Sequence, residues 1–155
     1  MSIQICVFSD SHLNSIGDWQ QSIDAEGFPL RLSSGQPFDR HSGTFTARLR
    51  ENPVSFQCRM RKAGGMFRFY KEIKFGHDWT YVLALPWISG FDGLDAAWMA
   101  ATAYARATSG VVFDPQESKL FDPTEARKAI KEMERTRPEA EAALRNIKQQ
   151  LSGKA

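Results

Sequence analysis

Between Pro53 and Lys62, the residues Val54, Phe56, Cys58 and Met60 alternate with Ser55, Gln57, Arg59 and Arg61. A helix would scatter this pattern around its axis, whereas a pleated strand puts all four apolar residues on one side. The middle of the chain is therefore committed to a sheet that buries one face and carries arginines on the other. Thr44 to Arg50 repeats the rhythm, with Phe45, Ala47 and Leu49 opposed by Thr46, Arg48 and Arg50. Glu51-Asn52-Pro53 supplies turn residues between the two runs, so 44–50 and 54–61 read as a β-hairpin.

The flanking segments supply this sheet with neighbours and cover. Ile3, Ile5 and Val7 alternate with Gln4, Cys6 and Phe8, a strand with both faces at least partly covered. Ser9-Asp10-Ser11 offers helix caps. Leu13, Ile16, Trp19 and Ile23 follow at helical spacing until Gly27 and Pro29 end the helix. A strand over 29–33 comes next, then a loop from Ser33 to Gly43. Ala63-Gly64-Gly65 reads as a turn, and Met66 to Phe75 suits a strand or one helical turn equally. Trp79 to Ile88 is a strand, with Pro86 marking an edge or a bend. Gly90 to Ser109 is an alanine-rich helix with Asp92 as N-cap and Asp95 in its first turn, ended by Gly110. Val111 to Phe113 and Lys119 to Phe121 are short strands around a turn. Asp122-Pro123-Thr124-Glu125 opens a helix, and Pro138 restarts a second one with a thin apolar stripe of Leu144, Ile147 and Leu151.

That order predicts an α+β fold: a single mostly antiparallel sheet with helices packed on one face, and two C-terminal helices. The 155 residues divide into a core domain over 1–121 and a helical extension, 122–155, packed on that core. The opposite sheet face is left free, and a free face in a small domain is a candidate binding surface.

Charge distribution says which part of that face to examine. Net charge is only +2, yet residues 40–74 hold nine basic and two acidic side chains, while 1–39 and 75–121 are acidic. In the paired hairpin Arg48, Arg50, Arg59 and Arg61 share the outer face, with Arg68 and Tyr70 just beyond. Like charges on neighbouring strands cost stability unless something compensates them. Arginine outnumbers lysine six to three in this stretch, which suits planar pairing with carboxylates or phosphates. An acidic protein partner is the first reading, nucleic acid the second, and simple neutralisation by Asp10, Asp18, Asp24 and Glu26 the alternative to both.

Chemistry-bearing motifs are sparse. The chain has no nucleophile elbow, zinc-protease motif, Walker loop or dinucleotide fingerprint. Cys6 and Cys58 fit no zinc or redox spacing and read as buried thiols, to be bridged only if their strands are neighbours. Asp10, His12 and His77 form an alternative polar site for acid–base work if the fold brings them together; His41 lies in a polar loop. No cofactor and no metal is expected. No stretch is apolar enough to span a bilayer, and the N-terminus lacks a signal peptide's basic and apolar regions. With unpaired cysteines, these features predict a cytoplasmic protein without a membrane partner.

Gly76-His77-Asp78-Trp79, then Ala103-Tyr104-Ala105-Arg106-Ala107-Thr108, then Gly110-Val111-Val112-Phe113-Asp114-Pro115-Gln116, resemble a run in small uncharacterised bacterial single-domain proteins. Some of these are immunity proteins of polymorphic or contact-dependent toxins. The resemblance covers roughly residues 1–121 and implies a cytoplasmic, non-enzymatic protein that blocks a cognate toxin domain. It transfers no functional residue. The expected function is thus that of a non-enzymatic bacterial binding protein, with the immunity type as the form the resemblance implies. A small Asp/His enzyme and a nucleic-acid binder acting through 40–74 are the alternatives.

Overall fold

In a computed structural model that describes residues 3–33, 43–87 and 90–152, seven strands form one antiparallel sheet. In chain order the elements are β1 (Ile3–Ser9), α1 (Ile16–Ala25), β2 (Leu30–Leu32), β3 (Gly43–Leu49), β4 (Asn52–Lys62) and α2 (Gly64–Phe69). They continue with β5 (Tyr81–Trp87), α3 (Phe91–Thr108), β6 (Val111–Asp114), β7 (Lys119–Phe121) and α4 (Pro123–Ser152). Across the sheet the strands run β2-β3-β4-β5-β1-β6-β7. The fold is α+β, as the element order predicts. Most of the predicted loop, with His41, lies outside the described residues.

The alternation in β4 is used as expected. Val54, Phe56 and Cys58 join Phe45, Ala47 and Leu49 of β3, Ile5 and Val7 of β1, and Leu83, Leu85 and Trp87 of β5 beneath the helices. Trp19 of α1 sits in this core with its ring edge-on to Phe45, Phe56 and Tyr104. Its indole N–H donates to the Ala100 carbonyl at 3.0 Å, so the large ring is buried without an orphaned donor. The alanines of α3 are nearly all buried, because small side chains let that helix lie close to the sheet while α1 and α4 pack beside it.

Local signals hold at several ends. Gly27, at φ 76°, follows α1 in the left-handed conformation that glycine adopts most cheaply. At the start of α4 the Glu125 N–H donates to the Asp122 carboxylate at 2.7 Å, and the Asp122 N–H donates to Glu125 at 3.1 Å, a reciprocal capping box.

Other local readings change. The hairpin turn is Arg50-Glu51, both at positive φ (48° and 73°), with Leu49 facing Asn52. A two-residue turn keeps Phe45 opposite Phe56 and Ala47 opposite Val54 on the core face, and this outweighs the turn preference of Asn52-Pro53. Ser15, not Asp10 or Ser11, caps α1 by accepting the Asp18 N–H at 3.0 Å. Asp92 does not cap α3, whose first residue follows Gly90. The two expected C-terminal helices are one helix of 30 residues with Pro138 inside it. Pro86 lies in the fourth strand of seven, but the register of β5 with β4 ends at Ala84, so proline stands where one side needs no ladder donor.

The outer sheet face is covered over part of its width. Cys6 and Phe8 of β1, Val82 of β5 and Phe113 of β6 pack under Met66 and Phe67 of α2 and under Tyr70, Ile73, Phe75 and Trp79. The Phe8 ring lies 4.9 Å from that of Phe75 and 5.7 Å from that of Phe67. Over β2, β3 and β4 the outward positions are polar, among them Arg31, Thr46, Arg48, Ser55 and Arg59. Cys6 and Cys58 lie in these two different apolar layers, with β5 between their strands, so both remain free thiols.

Candidate binding surfaces

The pairing register distributes the arginines of the outer face into two groups. Arg48 of β3 stands opposite Pro53 of β4 and Arg31 of β2, whereas Arg59 and Arg61 stand opposite Ala84 and Val82 of β5. Arg59 lies six positions along β4 from Pro53, about 20 Å at strand rise. The first group is engaged locally: Arg31 pairs with Asp24 at 3.8 Å, and Arg48 donates to the Glu51 carbonyl at 3.2 Å. Arg50, placed in the turn, leaves the outer face and pairs with Glu134 of α4 at 2.8 Å. This corrects its expected position beside Arg48, Arg59 and Arg61. Tyr70 is likewise no part of an open basic face: it packs edge-on against Phe113 at 5.0 Å, and burial pushes its phenol upward.

The second group borders a groove. Its floor is Gln4, Cys6, Val82 and Ala84, one wall is Gly65, Met66 and Phe69 of α2, and its rim is Arg59, Arg61 and Lys62. The hollow measures about 360 Å³. Arg59, Arg61 and Arg68 have no carboxylate within ion-pair distance among the described residues. Phe69 is 78% exposed, the most exposed large apolar side chain described. A floor apolar but for Gln4, an exposed aromatic and a basic rim together fit an apolar anchor flanked by carboxylates. A side chain built at Gly64 or Gly65 would meet nothing nearby, so the groove stays open above the start of α2. Burial, helped by Asp114, pushes the Cys6 thiol up to about 12, so this thiol stays protonated at neutral pH.

Two of the three alternative site residues meet. His77 Nε2 lies 2.6 Å from Asp10 Oδ2, and the Thr80 N–H and hydroxyl donate to Asp10 Oδ1 at 2.9 and 3.0 Å. The His77 contact, with the Thr80 donors, holds the Asp10 carboxyl below its ordinary range. His12 turns elsewhere, its ring edge-on to Tyr81 at 5.8 Å and its Nδ1 at 3.3 Å from the Leu13 carbonyl. Two neighbouring hydroxyls are engaged: Thr80 donates to Asp10, and Ser9 is buried and donates to the Ser11 carbonyl at 2.7 Å. Asp10 thus ties the end of β1 to the segment leading into β5. Among the described residues no group of three His, Cys, Asp or Glu side chains could hold a metal ion.

A second, larger hollow of about 480 Å³ has no counterpart in the sequence reading. Trp87, Phe91, Leu94, Trp98, Met133 and Leu144 line it, with Asp114, Gln116 and Glu117 at one side. Its walls come from β5, α3 and α4, so only the folded chain assembles it. Ion pairs hold α4 to the body of the protein. Glu26, 4% exposed, accepts from Arg106 and from Arg127, the latter at 2.7 Å. Arg137 donates to Asp92, to Asp95 at 2.7 Å and to Glu141 at 2.7 Å, with its guanidinium over the Phe91 ring. Asp92 and Asp95 are therefore anchors for α4, which displaces the capping role expected of them.

No described helix is long and apolar enough to cross a membrane. Comparison of the chain with protein-family models, with curated proteins and with solved structures returned no match.

Proposed function

We propose that this is a non-enzymatic bacterial binding protein of the cytoplasm that receives an acidic protein segment in the groove between α2 and the β4-β5-β1 sheet. In its most specific form the partner is a toxin domain that the protein holds inactive, as an immunity protein does. The supporting observation is the combination at one site of Arg59, Arg61 and Lys62 with an apolar floor and the exposed Phe69. Basic rims raise association rates with acidic partners and suppress the wrong ones, while a buried aromatic anchor supplies affinity. Arg48 and Arg50 have intramolecular duties and are left out of this reading. The test is co-expression with the product of the adjacent gene. A stable complex that is lost on Arg59→Glu with Arg61→Glu supports the proposal; no complex, or one indifferent to both substitutions, counts against it.

A second reading has one observation behind it, the half-exposed Asp10–His77 pair at 2.6 Å. Such a pair moves protons when a substrate reaches the free ring nitrogen. His77→Ala distinguishes the roles: a structural tie lowers the melting temperature and abolishes no activity, whereas a catalytic base removes an activity without unfolding the chain. Nucleic-acid binding through 40–74 would show as affinity falling steeply with added salt.

A further inference from the structure

Helix α4 carries one apolar repeat that is spent on the body of the protein for half its length and left open for the rest. Ala126, Ile130 and Met133 follow a four-three spacing, and Ala140, Leu144, Ile147 and Leu151 continue the same seven-residue register. Ala126 and Ile130 are buried and Met133 packs on the core. Arg137 occupies the next seam position and turns to Asp92 and Asp95. Beyond it the seam comes out into solvent: Leu144 is 43%, Ile147 53% and Leu151 67% exposed. Three large aliphatic side chains in register on one exposed helix face are more than a solvated helix needs.

We propose that this distal half of α4 pairs antiparallel with the same segment of a second copy of the chain. The charges select that occupant and that orientation. Glu139 and Glu141 precede the exposed seam, Glu141 already accepting from Arg137 on one side, and Arg145 and Lys148 lie within it. When two such segments run antiparallel with Leu144 against Ile147 and Ala140 against Leu151, the flanking position of Glu141 falls beside Lys148 of the other copy, twice by symmetry. Parallel pairing would set each acidic turn beside its own duplicate. The packing also closes: small Ala140 faces large Leu151, and the other copy's Leu151 arrives at the mouth of the hollow that Met133 and Leu144 line with Phe91, Leu94 and Trp98. This surface is separate from the basic groove, so one can fail without the other.

Sedimentation equilibrium of the whole chain reads the association. Two heptads from each copy make an interface smaller than the roughly 1,200 Å² at which stable ones begin, so the association should be weak, and concentrations of about 10–100 µM are the range to search. The mass therefore rises from one chain toward two across that range. Ile147→Glu with Leu151→Glu keeps the mass of one chain at every concentration with unchanged circular dichroism, because both side chains are on the surface. Mild oxidation then fixes the orientation, since Cys6 and Cys58 are buried. Ala140→Cys chains mixed with Leu151→Cys chains cross-link to each other, and neither variant cross-links alone. A single-chain mass up to about 1 mM, a dimer that survives the double Glu substitution, or cross-linking between identical positions would each overturn the proposal.

Discussion

Removing Arg137 should be the most costly single truncation on the surface of α4. Its guanidinium is the only cation in bonding distance of Asp95 among the described residues, and Asp95 is 2% exposed on α3. Arg137→Ala leaves that carboxylate buried and uncompensated, a situation that costs about 3–5 kcal/mol in well-buried pairs. Two features move the figure to the lower end: Asp92, which shares the arginine, is a third exposed, and Arg50 is close enough to act on Asp95. The lost stacking on Phe91 and the lost Glu141 bond add some tenths each. We expect about 3 kcal/mol at pH 7, read by urea denaturation with tryptophan fluorescence. The pH dependence identifies the cause. Burial already pushes the Asp95 carboxyl up and Arg137 opposes this, so the variant raises it further. A raised carboxyl costs stability above its folded-state value and costs nothing once both folded and unfolded chains are protonated. The difference between variant and parent should therefore shrink as pH falls from 7 toward about 4. Arg137→Met combined with Asp95→Asn should recover most of the loss. A loss under about 1 kcal/mol at pH 7, or one that does not shrink in acid, would refute this account of the pair.

Three further outcomes test the fold. In Gly110→Ala the new methyl would lie 2.2 Å from the Phe8 carbonyl oxygen and 3.1 Å from Ser9 Cβ, both in β1; forcing β1 and β6 apart should cost about 3 kcal/mol and about 10 °C of melting temperature. Pro138→Ala restores the helical N–H that faces the Glu134 carbonyl and should stabilise the chain by about 1–3 kcal/mol in the same denaturation assay. Cys6 and Cys58 should resist a thiol reagent at pH 8 until the chain unfolds. Because the Cys6 thiol is held at about 12 against an ordinary 9.0, folding favours its protonated form, and stability should fall as pH rises above about 9, by up to about 1.4 kcal/mol per unit for each thiol.

Much of this fold is legible along the chain wherever one short segment contains its own signal. The alternation at Val54–Arg61 fixes strand and face, Asp122-Pro123-Thr124-Glu125 fixes a helix start, and Gly27 fixes a helix end. Misreadings arise where a distant partner decides. Arg50 reads as a strand residue until the core pairing of Phe45 with Phe56 and Ala47 with Val54 forces it into the turn. Gly64-Gly65 reads as a break because a six-residue helix carries too little periodicity, and it forms on an apolar layer built by Phe8, Val82 and Phe113. Asp92 carries the signature of a cap, yet an arginine 45 residues later takes it.

The candidate surfaces divide in the same way. Arg59 and Arg61 are readable from β4 alone. Their separation from Arg48 is not, because it depends on which neighbours β3 and β4 pair with. The floor of the groove joins Gln4 and Cys6 to Val82 and Ala84 across the sheet, and no linear pattern announces it. The Asp10–His77 contact spans 67 positions, and along the chain it shows only as two residue types able to meet.

On the reading proposed above, a partner sits in the basic-rimmed groove on the outer face. Hydrogen–deuterium exchange of the complex with the adjacent gene's product, compared with the free chain, tests it most directly. A partner in the groove should slow exchange over residues 57–70 and 81–84 and leave α4 unchanged. Protection confined to α4 or to β6 and β7, with 57–70 exchanging as in the free chain, would contradict it.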